Sequence, residues 1–421
     1  MKKFSFGNKR GVLLKNTLML YLLQFSTYAL SLATTPFQTR VLGSSVYGDL
    51  GVATAAVYFF QLIIDFGFLL SATEEVSRER NNKERLREIL SAVTVAKLVL
   101  MAFSFVVLAV MSSLIPEWRE IRLLVLLTFF GAALNCLMPD FLYRGLEKMS
   151  AITVRTVLIR VFFTAAIFLF LRGPADAWVI PASNIVGNGV ALVLAYLHVV
   201  RVLGIPFGKT GVGAVFVTMK NSFYFFISRF ATSAYTQLNL LILDFVSPDG
   251  SMRGFYKSAD SMIVMGKNAL SPISDSMYPY MVQNKDFKLV KKVLLVLEPL
   301  IIVFCTVVFI FADPFCLWFF GKEYTGTGAI LRAMLPIGVV VLPSYIFGFP
   351  TLTAMGKTKH ANYSTIFGAI LQVVMLAVML VMGWVNAVTL AASVSVTETA
   401  VLIYRLVIVI KNRHLMKGAQ Q

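Results

Sequence analysis

Charge is scarce in this chain, and negative charge scarcest. Of 421 residues, 14% are Asp, Glu, Lys or Arg, with 21 acidic side chains against 38 basic ones, while 58% are hydrophobic. A soluble domain is nearer a quarter charged and about half apolar. A water-soluble globule is therefore excluded and a polytopic membrane protein is expected. Cysteine is confined to Cys136, Cys305 and Cys316, each in or beside an apolar run. An odd, scattered set makes no disulfide framework and has no zinc spacing, so these read as small core residues. The three histidines, His198, His360 and His414, are far apart, and no metal site is assigned. Also missing are a phosphate-cradling glycine loop, a metal-ligand cluster and a Ser/His/Asp set outside the membrane. No loop is long enough to fold as a domain. The chain is not expected to be an enzyme, and ligand-driven or ion-driven transport suits it better than ATP hydrolysis.

What the chain has is hydrophobic length. About twelve apolar segments are long enough to span a bilayer. They fall at 14–36, 45–70, 89–115, 121–142, 152–171, 178–200, 215–246, 254–282, 293–311, 329–352, 363–382 and 388–410. The basic start runs into a spanning apolar stretch with no small-residue cleavage site, which reads as an uncleaved first helix. Basic residues then set the orientation. They crowd the start (Lys2, Lys3, Lys9, Arg10, Lys15) and the end (Lys411, Arg413, Lys417). They also mark every second loop: Arg78, Arg80, Lys83, Arg85 and Arg87; Arg144 and Lys148; Arg201 and Lys209; Lys285, Lys288, Lys291 and Lys292; Lys357 and Lys359. The intervening loops hold few, namely Arg40, Arg119, Arg172, Arg253 and Lys322. Both termini are therefore expected in the cytoplasm. The net charge of +17 is mostly this bias, and nucleic-acid binding drops out. The acidic-basic run 74–88 reads as a solvated cytoplasmic loop and helix start.

The chain also repeats itself. Lys15-Asn16-Thr17 recurs as Lys220-Asn221-Ser222, and Gln24-Phe25-Ser26-Thr27 as Arg229-Phe230-Ala231-Thr232. One residue later in register, Tyr47-Gly48 with Ala53 matches Arg253-Gly254 with Ala259. The first and seventh segments thus correspond, as do the second and eighth. An even number of spans separates the copies, so both halves have the same topology. The expected fold is an all-α integral membrane protein of about twelve helices in two six-helix bundles, 1–206 and 207–421. A pseudo-two-fold axis along the membrane normal would relate them.

Within these apolar spans lie polar stripes. Ser222, Arg229, Thr232, Ser233 and Thr236 share one helix face at about 100° per residue. So do Lys257, Asp260, Ser261, Lys267, Asn268, Ser271 and Asp275. The repeat predicts matching stripes in the first half. Thr17, Tyr21, Gln24, Thr27, Tyr28, Ser31, Thr35 and Gln38 form one, and Tyr47, Thr54, Tyr58, Gln61 and Asp65 the other. Ser and Thr at such places also serve as glue between helices. A charge at the bilayer centre costs about 3 kcal/mol even on lenient scales, so Arg229, Lys257, Lys267, Asp65 and Asp260 are expected to face protein or a wet cavity. Lys257 and Asp260 could equally form a structural pair at i, i+3. Other charges say less: Lys97 reads as isolated, Arg155 and Arg160 as snorkelling, and Glu298 and Glu398 as lacking a partner, although Arg405 shares a face with Glu398. Pro36, Pro181, Pro272, Pro299, Pro336 and Pro343 are candidate helix bends.

Several stretches resemble the Wzx-type polysaccharide flippases of the multidrug/oligosaccharidyl-lipid/polysaccharide (MOP) exporter superfamily, whose fold is MATE-like. Thr35-Pro36 with Arg40-Val41-Leu42-Gly43 and Tyr47-Gly48 looks like that family's start, as does Asp65-Phe66-Gly67-Phe68 with Ser71-Ala72-Thr73. Arg144-Gly145-Leu146-Glu147-Lys148-Met149, Tyr278-Pro279-Tyr280 and Ala354-Met355-Gly356-Lys357 resemble later landmarks in their order. The resemblance implies a central cavity lined chiefly by helices one, two, seven and eight. It also implies the substrate, an oligosaccharide repeat unit on undecaprenyl pyrophosphate, turned from the cytoplasmic to the outer leaflet of the bacterial inner membrane for O-antigen and lipopolysaccharide biosynthesis. Arg229, Lys257 and Lys267 would hold pyrophosphate or acidic sugars, with Gln24, Tyr28, Arg40 and Tyr58 as further substrate contacts. Asp65 and Asp260 are the candidates to carry a coupling H+ or Na+, and no other cofactor is implied. Partners implied are the lipid-linked glycan, membrane lipids, a polysaccharide polymerase and a chain-length regulator, around a monomer. Rival readings are a MATE-type exporter, which the cationic stripes disfavour, and a lipid II flippase, which usually has two more helices. A membrane-embedded polymerase or ligase is a third rival, but it generally carries a large outer loop that is not seen here.

Overall fold

The computed structural model describes residues 6–247 and 250–415; within them the side chains of 6–24, 27, 28, 149, 224, 228, 231–237, 279, 283 and 284 lie outside the described residues. All regular elements among the described residues are helical. The first two expected spans form one run, α1 (Phe6–Asp65), broken at Gly43. There φ is 73° and ψ 171°, a left-handed backbone that glycine tolerates without a Cβ clash. The second expected span, 45–70, stops short. Phe66 (φ 39°) and Gly67 (φ 76°) turn the chain before α2 (Phe68–Arg78). The run expected as a solvated loop from residue 74 thus begins inside a helix. The reason is spacing: Phe68, Ala72 and Val76 recur every four residues and are buried, forming one apolar face.

The remaining helices follow the expected segments. They are α3 (Lys83–Leu114), α4 (Pro116–Glu120), α5 (Arg122–Cys136), α6 (Asp140–Gly145), α7 (Met149–Phe170), α8 (Val179–Arg201) and α9 (Val212–Val246). Then come α10 (Gly250–Asn284), α11 (Phe287–Ile310), α12 (Ala312–Phe320), α13 (Thr327–Ile346), α14 (Leu352–Ala354), α15 (Thr358–Val381) and α16 (Ala387–Lys411). One order occurs twice: a long helix, a short one, then a long helix broken near its end (α3, α4, α5–α6; α11, α12, α13–α14). Among the described residues nine helical runs are long and apolar enough to cross a membrane. The α10 helix, 35 residues long, is not among them, because Arg253, Lys257, Asp260, Lys267 and Asp275 punctuate it. Polar side chains open several helices: Asn82 accepts from Arg85 N, Asp286 from Lys288 N and Leu289 N, and Asn386 from Val388 N and Thr389 N, as N-caps do.

The chain divides into two compact units, Met1–Leu42 with Ala53–Phe230, and Gly43–Val52 with Ala231–Gln421. In the first, the core joins Phe68 and Val76 of α2 to Leu90 and Val93 of α3, Phe141 and Tyr143 of α6 and Val199 of α8. A Cβ on Gly145 would overlap the Val76 side chain, so α6 approaches α2 at glycine distance. The Tyr143 hydroxyl donates to Ala195 O at 3.0 Å and meets His198 Nδ1 at 3.0 Å. The α5 helix ends at Cys136 because residue 139 is proline and cannot donate to Asn135 O. Met138 N closes on Asn135 O at 3.2 Å instead, and the Cys136 carbonyl accepts from Lys97 Nζ at 2.5 Å.

The second unit solves the same problem differently. The core gathers Met277 and Met281 of α10, Val290 of α11, Leu342 and Ile346 of α13 and Val409 of α16. After α13 comes one π turn, Phe347–Thr351, with Gly348 off helical geometry and Pro350 inside it. Proline removes the donor that Ile346 O would use, and the Thr351 hydroxyl replaces it at 2.7 Å. Arg405, buried on α16, donates to Ser344 O at 2.7 Å, Ser344 Oγ at 2.9 Å and Ser364 Oγ at 2.8 Å. Broken helices persist at membrane depth only where neighbours satisfy the freed backbone. Elsewhere in this unit the repeat-matched glycines meet. A Cβ on Gly48 would lie 2.7 Å from Gly254 N, and one on Gly254 would overlap the Ser44 carbonyl.

Candidate functional site

In the first unit, the end of α1 places Asp65 at the Phe66-Gly67 turn. That turn is pressed onto α9, since a Cβ on Gly67 would stand 2.7 Å from Phe225 Cβ and 2.8 Å from Phe226 N. The Phe66 and Phe226 rings stack at 4.7 Å, and Ser71 Oγ meets Ser222 Oγ at 2.6 Å. Above this joint Asp65 faces two cations. Lys97 Nζ lies 3.7 Å from Oδ1 and Arg229 Nη1 4.0 Å from Oδ2. Asp65 and Arg229, singled out separately in the sequence, are thus brought together. Lys97, expected to be isolated, is buried and joins them. Its ammonium reaches both the carboxylate and the end of α5, where helix carbonyls attract a cation. Tyr58, two turns back along α1, is half-buried, while Arg40 is exposed. The side chains of Gln24 and Tyr28 lie outside the described residues, as do those of Thr232, Ser233 and Thr236 on the α9 stripe.

In the second unit the α10 stripe divides. Lys257 and Asp260 are half-buried, and the Asp260 carboxylate sits in the field of Lys257 and Lys267. Lys267 Nζ itself is 2.5 Å from Glu398 Oε1 of α16. Glu398, expected to lack a partner beyond Arg405, therefore pairs with Lys267, while Arg405 serves the α13 break. Toward the start of α10, Arg253 bridges Asp49 at 3.0 Å and Asp244, the latter through Nη1. The Tyr324 hydroxyl donates to Gly43 O at 3.2 Å, which ties the α1 kink to the turn before α13. Burial pushes the Tyr324 phenol above its usual value, so it stays a protonated donor.

Sequence reasoning missed some polar groups here. Gln372 of α15 donates to Asn239 Oδ1 at 3.1 Å and Ser393 Oγ at 2.8 Å, and accepts from Thr397 Oγ1 at 2.6 Å. All four are buried. Such hydrogen bonds knit membrane helices, and a Gln amid an apolar run was the available signal. Asp49 and Asp244 were likewise visible only as acids in apolar surroundings. Among the described residues no cluster of three or more His, Cys, Asp or Glu could hold a metal. Chemically, the two groups of charges can bind an anion, exchange a small cation on a carboxylate, or rearrange ion pairs.

Helices of this order and breakage define a class seen in solved transporters. The structure of "Lipid II flippase MurJ, inward closed conformation" is similar at a TM-score of 0.74, with 14% identity over 96% of this chain and 91% of that one. An inward-facing MATE-family multidrug transporter of the MOP superfamily is similar at 0.64, with 11% identity over 93% and 99%. The fold is thus that of MOP-superfamily transporters, all-α and multi-pass in the membrane. The family model described as "Polysaccharide biosynthesis protein" matches residues 13–285, and the chain belongs to that family. Two relatives bear the name "Putative O-antigen transporter". The Escherichia coli (strain K12) protein is 24% identical over 369 residues, 86% of this chain and 88% of its own. That of Shigella dysenteriae is 25% identical over 361 residues, 85% and 90%.

Proposed function

We propose that this protein is a flippase for undecaprenyl-pyrophosphate-linked oligosaccharide repeat units, moving them from the cytoplasmic to the outer leaflet of a bacterial inner membrane by alternating access. Its two six-helix halves would be 1–206 and 207–421, with both termini in the cytoplasm. The family membership and the names of the relatives support the class of cargo. The observation that carries the reading is Asp65 held between Lys97 and Arg229 at a break in a membrane helix. A carboxylate and two cations in such a place are costly unless used, and the cluster can change partners as the break moves. Arg229 and Lys257, with Lys267, Gln24, Tyr28, Arg40 and Tyr58, would contact the glycolipid, chiefly by charge-assisted bonds to phosphate. Asp65 and Asp260 would carry a coupling proton or sodium ion.

The test uses a strain lacking this gene, in which Arg229→Ala and Lys257→Ala are scored for surface polysaccharide while membrane levels of each variant are checked. Loss of polysaccharide with lipid-linked units accumulating on the inner leaflet supports the reading. Normal polysaccharide from both variants removes these cations from the transport site, and units already on the outer face would indicate a polymerase or ligase instead. For coupling, Asp65→Asn and Asp260→Asn are compared in vesicles under imposed proton and sodium gradients. Ion dependence unchanged by both would sink that assignment.

A further inference from the structure

A cavity of about 730 Å³ lies on the first unit, lined by α7, α8 and the end of α6. Its walls are apolar: Val154 and Leu158 from α7, Val186, Val190 and Leu194 from α8, all exposed large hydrophobics. Exposed side chains of this type on spanning helices face lipid. One end is polar, formed by Arg155, Tyr143, Ser150 and His198. The sequence reading has Arg155 snorkelling to the surface, but the structure holds it mostly covered, against Asp140. Its Nη2 donates to Asp140 Oδ1 at 2.6 Å, with the side chain 12% exposed. Its Nε and Nη1 are buried and have no hydrogen-bond partner among the described residues. A buried guanidinium edge left unpaired costs more than a kcal/mol or two, so a small rotation of the side chain that turns this edge to the polar end of the cleft gains an acceptor there.

We propose that this cleft is a binding site for an anionic phospholipid of the bilayer, its phosphate on Arg155 and one acyl chain laid between α7 and α8. The chemistry matches at both ends, because a planar guanidinium suits phosphate oxygens and the walls suit a hydrocarbon chain. Basic pockets between membrane helices near the cytoplasmic surface recognise such headgroups, and the alternation of basic loops puts Arg155 on that side. Arg144, Lys148 and Arg201, all exposed at the neighbouring helix ends, add positive potential. Length decides between lipids. From His198 to Val186 the α8 wall runs about 18 Å, close to the roughly 15 Å of hydrocarbon in one leaflet. A phospholipid chain fills that run, whereas a polyprenyl chain several times longer overruns it.

The intact protein, stripped of lipid in detergent, is titrated with phosphatidylglycerol and, in parallel, with phosphatidylcholine of the same acyl chains, and bound lipid is counted by native mass spectrometry. Phosphatidylglycerol is expected to be retained at concentrations roughly five- to tenfold lower, and Arg155→Gln is expected to level the two. Val190→Trp, at an exposed wall position that leaves the Arg155 pair intact, is expected to weaken phosphatidylglycerol retention even if Arg155→Gln does not fold. Equal retention of the two lipids by the native chain overturns the proposal, as does a preference that survives both substitutions. Displacement of phosphatidylglycerol by an equal concentration of undecaprenyl phosphate also overturns it, because the cleft would then belong to the polyprenyl lipid.

Discussion

Lys97 and Asp65 form an ion pair at 3.7 Å, joining the middle of α3 to the turn that ends α1. The same ammonium holds the last carbonyl of α5, so one cation ties together the ends of two elements. Lys97→Met is expected to destabilise the protein by about 2–3 kcal/mol, because the Cys136 carbonyl loses its ammonium donor and Asp65 keeps Arg229 as its cation. Thermal unfolding in detergent reads this, with Lys97→Arg recovering part of the loss.

The Lys267–Glu398 pair makes opposite predictions for structure and for transport. If Lys267 only ties α10 to α16, Lys267→Gln and Glu398→Gln lower stability and flux alike, and the charge-reversed double variant restores both. If Lys267 grips the glycolipid, Glu398→Gln keeps flux while Lys267→Gln loses it. The expected outcome is the second, scored by surface polysaccharide against membrane protein level.

Glycine identity at position 254 is predicted to be stringent. A Cβ there runs into the Ser44 backbone carbonyl, which cannot swing aside as a side chain does, so Gly254→Ala should cost about 1–3 kcal/mol or more. Gly266 on the same helix has open space around the equivalent position, and Gly266→Ala should stabilise by up to about 1 kcal/mol. Parallel unfolding curves of the two variants check the contrast.

Arg405→Met is expected to take the charged donor from Ser344 O and from the Ser344 and Ser364 hydroxyls, leaving Phe347 N alone on that carbonyl at the break after α13, costing about 1–3 kcal/mol. Because the affected backbone is local, hydrogen exchange should rise first in residues 344–351, ahead of the rest of α13. Uniform protection across that segment would show that another group takes over.

Much of this architecture was legible in the chain because lipid imposes a blunt rule, that apolar runs of spanning length become helices. The expected segments fall on helices apart from the turns at 66–67 and 137–139, and the repeat-matched glycines Gly48 and Gly254 do touch. The breaks were harder to read. Pro139 and Pro350 are plain in the sequence, and the carbonyls they free are served close by, by Met138 N and the Thr351 hydroxyl, yet the neighbouring carbonyls of Cys136 and Ser344 draw on side chains tens of positions away, Lys97 in one case and Arg405 in the other. Partnerships of buried charges failed for the same reason. A helical face is a local pattern that can be counted along the chain, but Lys97–Asp65 and Lys267–Glu398 are set by which helices pack together. Asp65 and Arg229 were found because their own faces were polar, whereas Glu398 shares its face with Arg405 and its partner Lys267 lies on another helix.

The three cysteines with which the composition was so sparing are all buried, Cys316 completely. A bulky maleimide that cannot enter the bilayer therefore has nothing to label on the folded native chain. Single cysteines placed at exposed positions between or at the ends of the spans, at Lys322 or Lys359 for instance, would report their side of the membrane without any prior removal of native thiols. The chain is in effect its own blank background for mapping which face each basic loop meets, and for following that accessibility while cargo is moved.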